Sequence, residues 1–341
     1  MKTFNNSYDR ISSFENLHSA YLKARRNKRY KTEVLQFSNN LEENLITLQN
    51  ELIYGVYKTS RYREFIVREP KERLILALPF RDRIIHQAIN NIIEPIFEKT
   101  FINDSYACRK AKGTLAGVKK MDFYLNKNLA NNKETFCLKM DVKKYFYSID
   151  HATLKNLIRR KIRCAKTLRL LEVIIDSTDD PGIPVGNLTS QLFANIYLNH
   201  LDHFVKEILH VKHYVRYMDD MVVLNDNKKQ LWNWLGNITN FLEDELKLKL
   251  NRKTSVFNVK RGIDFLGYRQ FPTKRILRKR IMTQNYKKFK KFARSNAAES
   301  KIMKSLASLQ GVCKYCSAEK VLNNIHNIIG EETCRALTYS N

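Results

Sequence analysis

The sequence predicts an α+β fold, and three observations carry that prediction. Some segments place apolar residues three and four apart, as in Leu41, Leu45, Leu48 and Leu52, which is the period of a helix. Others, such as TFCLKMDV (135–142) and YVRYMDDMVVL (214–224), are short and rich in aromatic and β-branched residues, as strands are. The two kinds follow one another without the regular alternation of a parallel α/β sheet. At 341 residues and 43% hydrophobic content, the chain is long enough for two or three subdomains around linked cores.

Taken in order, residues 10–55 read as helices and include the basic cluster KARRNKRYK (23–31). Strand signals follow at REFIV and RLILAL, then a helix over about 81–98 and another over 113–130 after a glycine. In TFCLKMDV, Phe136, Leu138 and Met140 alternate towards one face, which leaves Asp141 on the other at the strand end. Asp150 is placed to cap a helix beginning HATLKNLIRRKI. GIPVGNLTSQ (182–191) is a Gly/Pro loop feeding the helix LFANIYLNHLDHFVKEIL. Tyr214–Tyr217 and Val222–Leu224 then form a hairpin whose turn holds Met218, Asp219 and Asp220. A helix over about 228–247 and short strands to 271 complete this part. Composition shifts at Pro272: residues 274–294 hold ten Lys or Arg and no acid, with Tyr286, Phe289 and Phe292 on one helical face. The boundaries read as 1–55, a helical basic extension; 56–272, the mixed α/β body; and 273–341, a helical basic end.

Charge narrows the partners. Sixty-one Lys and Arg against 34 Asp and Glu leave a net +27, which points to a polyanion. A membrane is the weaker candidate, since runs such as LILALPF (74–80) are far too short to span one and no signal peptide is evident. A cytoplasmic protein with reduced thiols is expected. CKYC (313–316) has the spacing of a metal knuckle, but no second pair accompanies it, and it falls in register with Leu306, Leu309 and Val312 as core.

The paired aspartates need explaining. A hairpin tip is the bland reading, because Asp side chains bond readily to nearby backbone. Asp141 adds a third acid at a strand end. Three such acids on a strongly basic chain suit a two-metal site, where hard divalent cations bridge carboxylates and phosphate oxygens. Asp141 and Asp219 lie 78 positions apart, so only the fold can bring them together.

Seven blocks, in order over about 60–270, carry a resemblance: KERLILALPFRDRIIHQAI, SYACRKAKGTLAGV, KMDVKKYFYSIDH, GIPVGNLTSQLFANIYLNHLD, YMDD, LKLNRKTSVF and IDFLGY. Together they resemble the reverse transcriptases of prokaryotic retroelements. The resemblance implies a right-hand polymerase with fingers, an antiparallel palm sheet and a short helical thumb starting with a basic helix at 274. It implies that Asp141 and Asp219 hold two Mg2+ ions (or Mn2+), with the Val142 carbonyl as a further ligand and Asp220 in support. Phe146 matches the steric gate against a ribose 2′-hydroxyl, and is equally readable as a packed core aromatic. Arg73, with Lys71 or Arg81, would grip the triphosphate, although Lys71 also reads as solvated surface charge. Val185, Gly186 and Gln191 would lie by the incoming nucleotide. Lys253 would protonate departing pyrophosphate, or make a plain backbone contact. Phe265, Leu266, Gly267 and Tyr268 match the primer grip.

Two features point within the family. No nuclease or ribonuclease H domain follows the thumb in the sequence. The loop reads VGNLTSQ, with Val185 where most relatives have Gln and Gln191 where they have Pro. That combination resembles the enzymes of diversity-generating retroelements, which copy template RNA with errors at adenines (mutagenic retrohoming) and work with a small basic accessory protein. Defence-associated and group II intron-like enzymes are the alternatives within the family; a non-catalytic RNA-binding scaffold is the alternative from another class. The implied partners are a template RNA, a DNA or RNA primer, deoxynucleoside triphosphates and the accessory protein.

Overall fold

Four short helices open the chain: α1 (Tyr8–Ser12), α2 (Phe14–Ala24), α3 (Thr32–Asn39) and α4 (Leu41–Ile53). The computed structural model describes residues 3–68, 72–130, 134–295 and 297–330. Ser13 starts α2 by accepting the Asn16 amide at 3.3 Å, satisfying one donor that a helix start leaves open. Leu45, Leu48 and Leu52 form the buried stripe of α4, as their spacing predicts. The basic cluster runs from the end of α2 through the turn to Lys31, the residue before α3.

β1 (Arg63–Val67) and β2 (Arg73–Ala77) pair antiparallel from Arg63↔Ala77 to Val67↔Arg73, as a two-stranded ribbon. α5 (Phe80–Glu98) and α6 (Thr114–Ala130) follow, then β3 (Phe136–Asp141) and α7 (His151–Arg159). Asp150 caps α7 by accepting the Thr153 amide at 2.8 Å. α8 (Ala165–Ile175), which the sequence reading did not single out, is amphipathic, burying Leu170, Leu171, Ile174 and Ile175. Next come α9 (Leu188–His203), β4 (His213–Tyr217), β5 (Asp220–Asn225), α10 (Lys228–Asp244) and β6 (Ser255–Asn258). β7 (Ile263–Phe265), β8 (Tyr268–Gln270), β9 (Arg275–Leu277), α11 (Lys279–Arg294), α12 (Glu299–Cys313) and α13 (Glu319–Ile329) complete the described chain.

The central sheet has the order β4-β5-β3-β6 and the last runs β7-β8-β9. Three expectations need correction. Asp220 is the first residue of β5, so only Met218 and Asp219 form the turn. The basic segment does not begin as a helix at 274: Arg275–Leu277 pair with Tyr268–Gln270 as a strand, and the helix starts at Lys279. Burial along β3 does not simply alternate, because Cys137, Leu138 and Met140 are all fully buried. A strand inside a sheet covered on both faces loses the alternation that a half-exposed strand shows.

The chain forms two compact units, each discontinuous in sequence. The first comprises Met1–Gly113, Met140–Met221 and Asn233–Thr254. Within it, α2 is tied to α5 by Asn16 Nδ2 donating to the Ala88 carbonyl at 3.1 Å. Thr189 of α9 meets His86 of α5 at 2.8 Å. The second comprises Thr114–Lys139, Val222–Trp232 and Ser255–Asn341. Its core gathers Val118, Tyr268, Leu277, Phe289, Phe292, Leu306, Leu309 and Cys313. Cys313 is thus core, as its register predicted. Among the described residues no helix is long and apolar enough to cross a membrane.

Candidate active site

The turn between β4 and β5 brings two acids to one point. Met218 takes a left-handed backbone (φ 55°), and Asp219 and Asp220 follow it. Burial, then the negative charge of Asp141, push the Asp219 carboxyl up to about 6; Asp220 adds to this, and Arg73 opposes it. The fold therefore brings Asp141 within electrostatic reach of the turn. Like charges crowded in a half-buried place hold protons more tightly, because ionising all of them costs Coulomb and desolvation energy together.

Asp141 is fixed from the side of the segment after α10. The Asn251 amide donates to the Asp141 carbonyl at 2.7 Å, and Asn251 Nδ2 donates to Asp141 Oδ2 at 3.1 Å. Lys143 N donates to the Lys249 carbonyl at 2.9 Å, and Val142 forms an antiparallel bridge with Leu250. In that pattern Val142 is the non-hydrogen-bonded member, so its own carbonyl turns away from 249–251.

Phe146 is half-buried and packs edge-on against Tyr145, ring centroids 5.7 Å apart; its carbonyl accepts from Ile183. The loop before α9 is held to β2: the Leu76 amide donates to the Val185 carbonyl at 3.0 Å. Gly186 needs to be glycine there. Its φ is +124°, and a Cβ would lie 3.0 Å from Ile75 Cγ2 and 3.1 Å from the Leu76 carbonyl oxygen. Gln191, one turn into α9, is exposed and lines a cavity with Gly186, Asn187, Ile75 and Phe65. Arg73 is exposed at the start of β2. Arg81 is paired with Glu51. Lys253 is exposed, its amide donating to Asn251 Oδ1 at 3.2 Å. Lys71 lies outside the described residues. Phe265 and Tyr268 are opposed in the β7–β8 hairpin and buried, with Leu266 and Gly267 as its left-handed turn. They belong to the second unit.

Two anchors escaped the sequence reading. Asn251 was one, although it lies within LKLNRKTSVF. The other is Arg216, buried with Asp202 of α9, each side chain 0% exposed. A charged residue in an apolar strand is the only local signal for Arg216, and its partner is 14 positions away on another element.

Among the described residues no group of three or more His, Cys, Asp or Glu side chains converges tightly enough to hold a metal by itself. The donor set still suits Mg2+. That ion takes oxygen ligands, and is commonly held by one or two carboxylates completed by substrate phosphates and water. An Asp219 carboxyl crowded by Asp141 and Asp220 is the kind of site that a divalent cation relieves.

The profile of the reverse transcriptase (RNA-dependent DNA polymerase) family matches residues 65–270. Protein YkfC of Escherichia coli (strain K12) is 27% identical over 266 residues, covering 65% of this chain and 70% of YkfC. The group II intron-encoded protein LtrA of Lactococcus lactis is 24% identical over 304 residues, 67% of this chain and 49% of LtrA, so the chain spans about half of that relative. Among solved structures, telomerase from Candida albicans in complex with a fragment of telomeric RNA superposes with a TM-score of 0.53 at 13% identity. That match covers 83% of this chain and 56% of the telomerase. Apo telomerase from Candida tropicalis, truncated of its C-terminal domain, gives 0.51 at 13% identity, over 69% and 60%. These likenesses establish an α+β polymerase fold. A profile match over more than half the chain, on the segment that carries the three acids, assigns it: the protein belongs to the reverse transcriptase (RNA-dependent DNA polymerase) family.

Proposed function

We propose that this chain synthesises DNA on an RNA template, with Asp141, Asp219, Asp220 and the Val142 carbonyl holding two Mg2+ ions. The observation that carries this reading is the convergence of Asp141 and Asp220 on a buried Asp219: burial first, then the charge of Asp141 and Asp220, raises the Asp219 carboxyl to about 6. The ions would supply charge to lower the pKa of the primer 3′-hydroxyl and to stabilise the departing pyrophosphate. The chain's own residues do the rest. Arg73 takes the triphosphate, Phe146 closes the space beside the ribose, and Lys253 donates a proton to pyrophosphate. Arg81, held by Glu51, is better suited to bracing α5 than to gripping phosphate. Residues 56–272 act as fingers and palm, with Phe265–Tyr268 gripping the primer, 273–341 as thumb, and 1–55 as a basic extension. The net +27 tracks phosphates of template and primer without reading sequence.

Within that activity we infer error-prone copying of the diversity-generating kind, with a small basic accessory protein as partner. Val185 supports it: its carbonyl is engaged by Leu76, and its side chain offers the nascent pair no donor where a Gln would. Losing one such contact relaxes discrimination by about 1 kcal/mol, several-fold in error ratio. The likeness to LtrA favours a second reading, an intron-type enzyme of ordinary fidelity.

Primer extension on an RNA template with Mg2+ tests the activity; no extension by the native chain, with or without a basic partner protein, sinks it. Misincorporation opposite each template base separates the two readings. Errors concentrated at adenine, reduced in Val185→Gln, support the mutagenic one; uniform low error supports the intron type.

A further inference from the structure

A charged pair sealed behind the catalytic turn demands a reason. Arg216 on β4 and Asp202 on α9 are both fully buried and meet through two parallel bonds: Nε to Oδ1 at 2.7 Å and Nη2 to Oδ2 at 2.6 Å. Tyr214 adds its hydroxyl to Asp202 Oδ1 at 2.9 Å. Swapping such a pair for well-packed apolar residues is often neutral or stabilising, so stability alone is a poor account of it. What an apolar pair would lack is direction. The remaining guanidinium nitrogen, Nη1, donates to the Met218 carbonyl at 3.0 Å and to Asn195 Oδ1 at 3.3 Å.

Everything around Arg216 is tied down. Asn195 is itself fixed by donating to the Ala107 carbonyl at 2.8 Å. The Arg216 amide donates to the Asp104 carbonyl, and its carbonyl accepts from Tyr106, both at 2.9 Å. The guanidinium is thus a rigid planar fork with fixed ends. Its remaining nitrogen, steadied by Asn195, ends on the carbonyl immediately before Asp219. Met218 is also the residue that needs holding. Its φ of 55° is a conformation in which a side chain crowds the backbone, and glycine would be the cheaper occupant.

We propose that Arg216, locked by Asp202, is a positioning residue that holds Met218 left-handed and thereby sets the direction of the Asp219 carboxylate. This rests on the proposed polymerase reading. Arg216 touches neither metal nor substrate; it acts through the Met218 carbonyl. α9, which carries Gln191 near its start and Asp202 near its end, then links the nucleotide loop to the carboxylate turn through one rigid element.

The test compares native chain, Arg216→Met/Asp202→Leu, Arg216→Lys, and Arg216→Lys combined with Met218→Gly. Two readouts are taken: Mn2+ binding to the protein without nucleic acid, followed by the free-ion resonance signal, and primer extension against Mg2+ concentration. The apolar double variant should melt close to the native protein, since no charge is left stranded. It should bind Mn2+ about ten- to a hundredfold more weakly and need correspondingly more Mg2+, the loss typical of a removed support behind a ligand. Arg216→Lys keeps the charge opposite Asp202 but cannot reach both partners, and should show the same shift. Met218→Gly should recover part of it, because glycine takes the left-handed turn without help.

Native Mn2+ affinity and Mg2+ dependence in a folded double variant overturn the proposal. Should the double variant fail to fold, Arg216→Lys decides alone: an unshifted metal dependence overturns the proposal, a shifted one upholds it. If the native chain neither extends primers nor binds Mn2+ through Asp219, as judged with Asp219→Asn, the polymerase reading fails instead.

Discussion

Two hairpins of this chain turn through left-handed backbone and hold it by different means. In the β7–β8 hairpin both turn residues are left-handed, Leu266 at φ 50° and Gly267 at 90°. That is a favoured connection for twisted strands, and glycine suits its second position. Buried Phe265 and Tyr268 oppose each other across it, and the Gly267 carbonyl accepts from Arg278 at 3.0 Å. In the β4–β5 hairpin only Met218 is left-handed, at the position where glycine is preferred, and an aspartate follows. The strain there, roughly 1–2 kcal/mol for a residue with a side chain, is offset by the Arg216 guanidinium on the Met218 carbonyl. The difference is instructive. Leu266 and Met218 carry the same left-handed strain. The first turn is completed by a glycine and braced by the Phe265–Tyr268 packing and by Arg278, whereas the turn of methionine and aspartate is held by Arg216, itself fixed from α9.

The largest contrast lies in what each hairpin loses when its key residue is removed. Asp219→Asn should reduce primer extension about a thousandfold or more, several kcal/mol of lost charge stabilisation. RNA affinity at fixed salt should hardly change, because the basic surface is intact. Retained extension would break the assignment of chemistry to the β4–β5 turn. Phe265→Ala, by contrast, should cost about 3–5 kcal/mol of stability, read as an early transition in denaturant. A normal denaturation curve would mean that packing does not secure the β7–β8 hairpin.

A pH experiment sharpens the same contrast. The Asp219 carboxyl is raised from its ordinary value to about 6, so the metal-free fold favours its protonated form. Stability from this group is present at low pH and is lost as pH rises through about 6. Asp219→Asn should therefore match the native chain near pH 4 and exceed it at pH 8, by about 3 kcal/mol at most. Adding Mg2+ at pH 8 should close the gap. A difference independent of pH would show that neither burial nor the neighbouring carboxylates hold the Asp219 proton.

The smallest effects belong to the turns themselves. Gly267→Ala should destabilise by roughly 1–2 kcal/mol, since its Cβ enters a left-handed position 3.1 Å from Ile281 Cδ1. Met218→Gly should stay within about 1 kcal/mol of native, relief of strain balancing added chain entropy. Melting curves of both variants measure this directly.

Local signals were legible wherever neighbours in sequence are neighbours in space. The leucine period of α4, the Asp150 cap of α7 and the register of Cys313 with Leu306 and Leu309 all follow from spacing. So did the family, because its blocks are short local patterns in a set order. The aromatic period of Tyr286, Phe289 and Phe292 marks a helix but not where it starts, and Arg275–Leu277 pair with β8 before it begins. Strand pairing is a property of the partner, and the segment alone does not reveal it.

By itself, the sequence determined which residues are available for chemistry: three aspartates at strand ends and a surplus of cations. Their types and local spacing are enough for that. The tertiary structure decided what those residues experience. Asp141 reaches the electrostatic field of Asp219 across 78 positions, and Asp202 and Asn195 of α9 position Arg216 beneath Met218. Burial, charge proximity and the direction of a hydrogen bond depend on distance through space, and distance along a chain does not contain it.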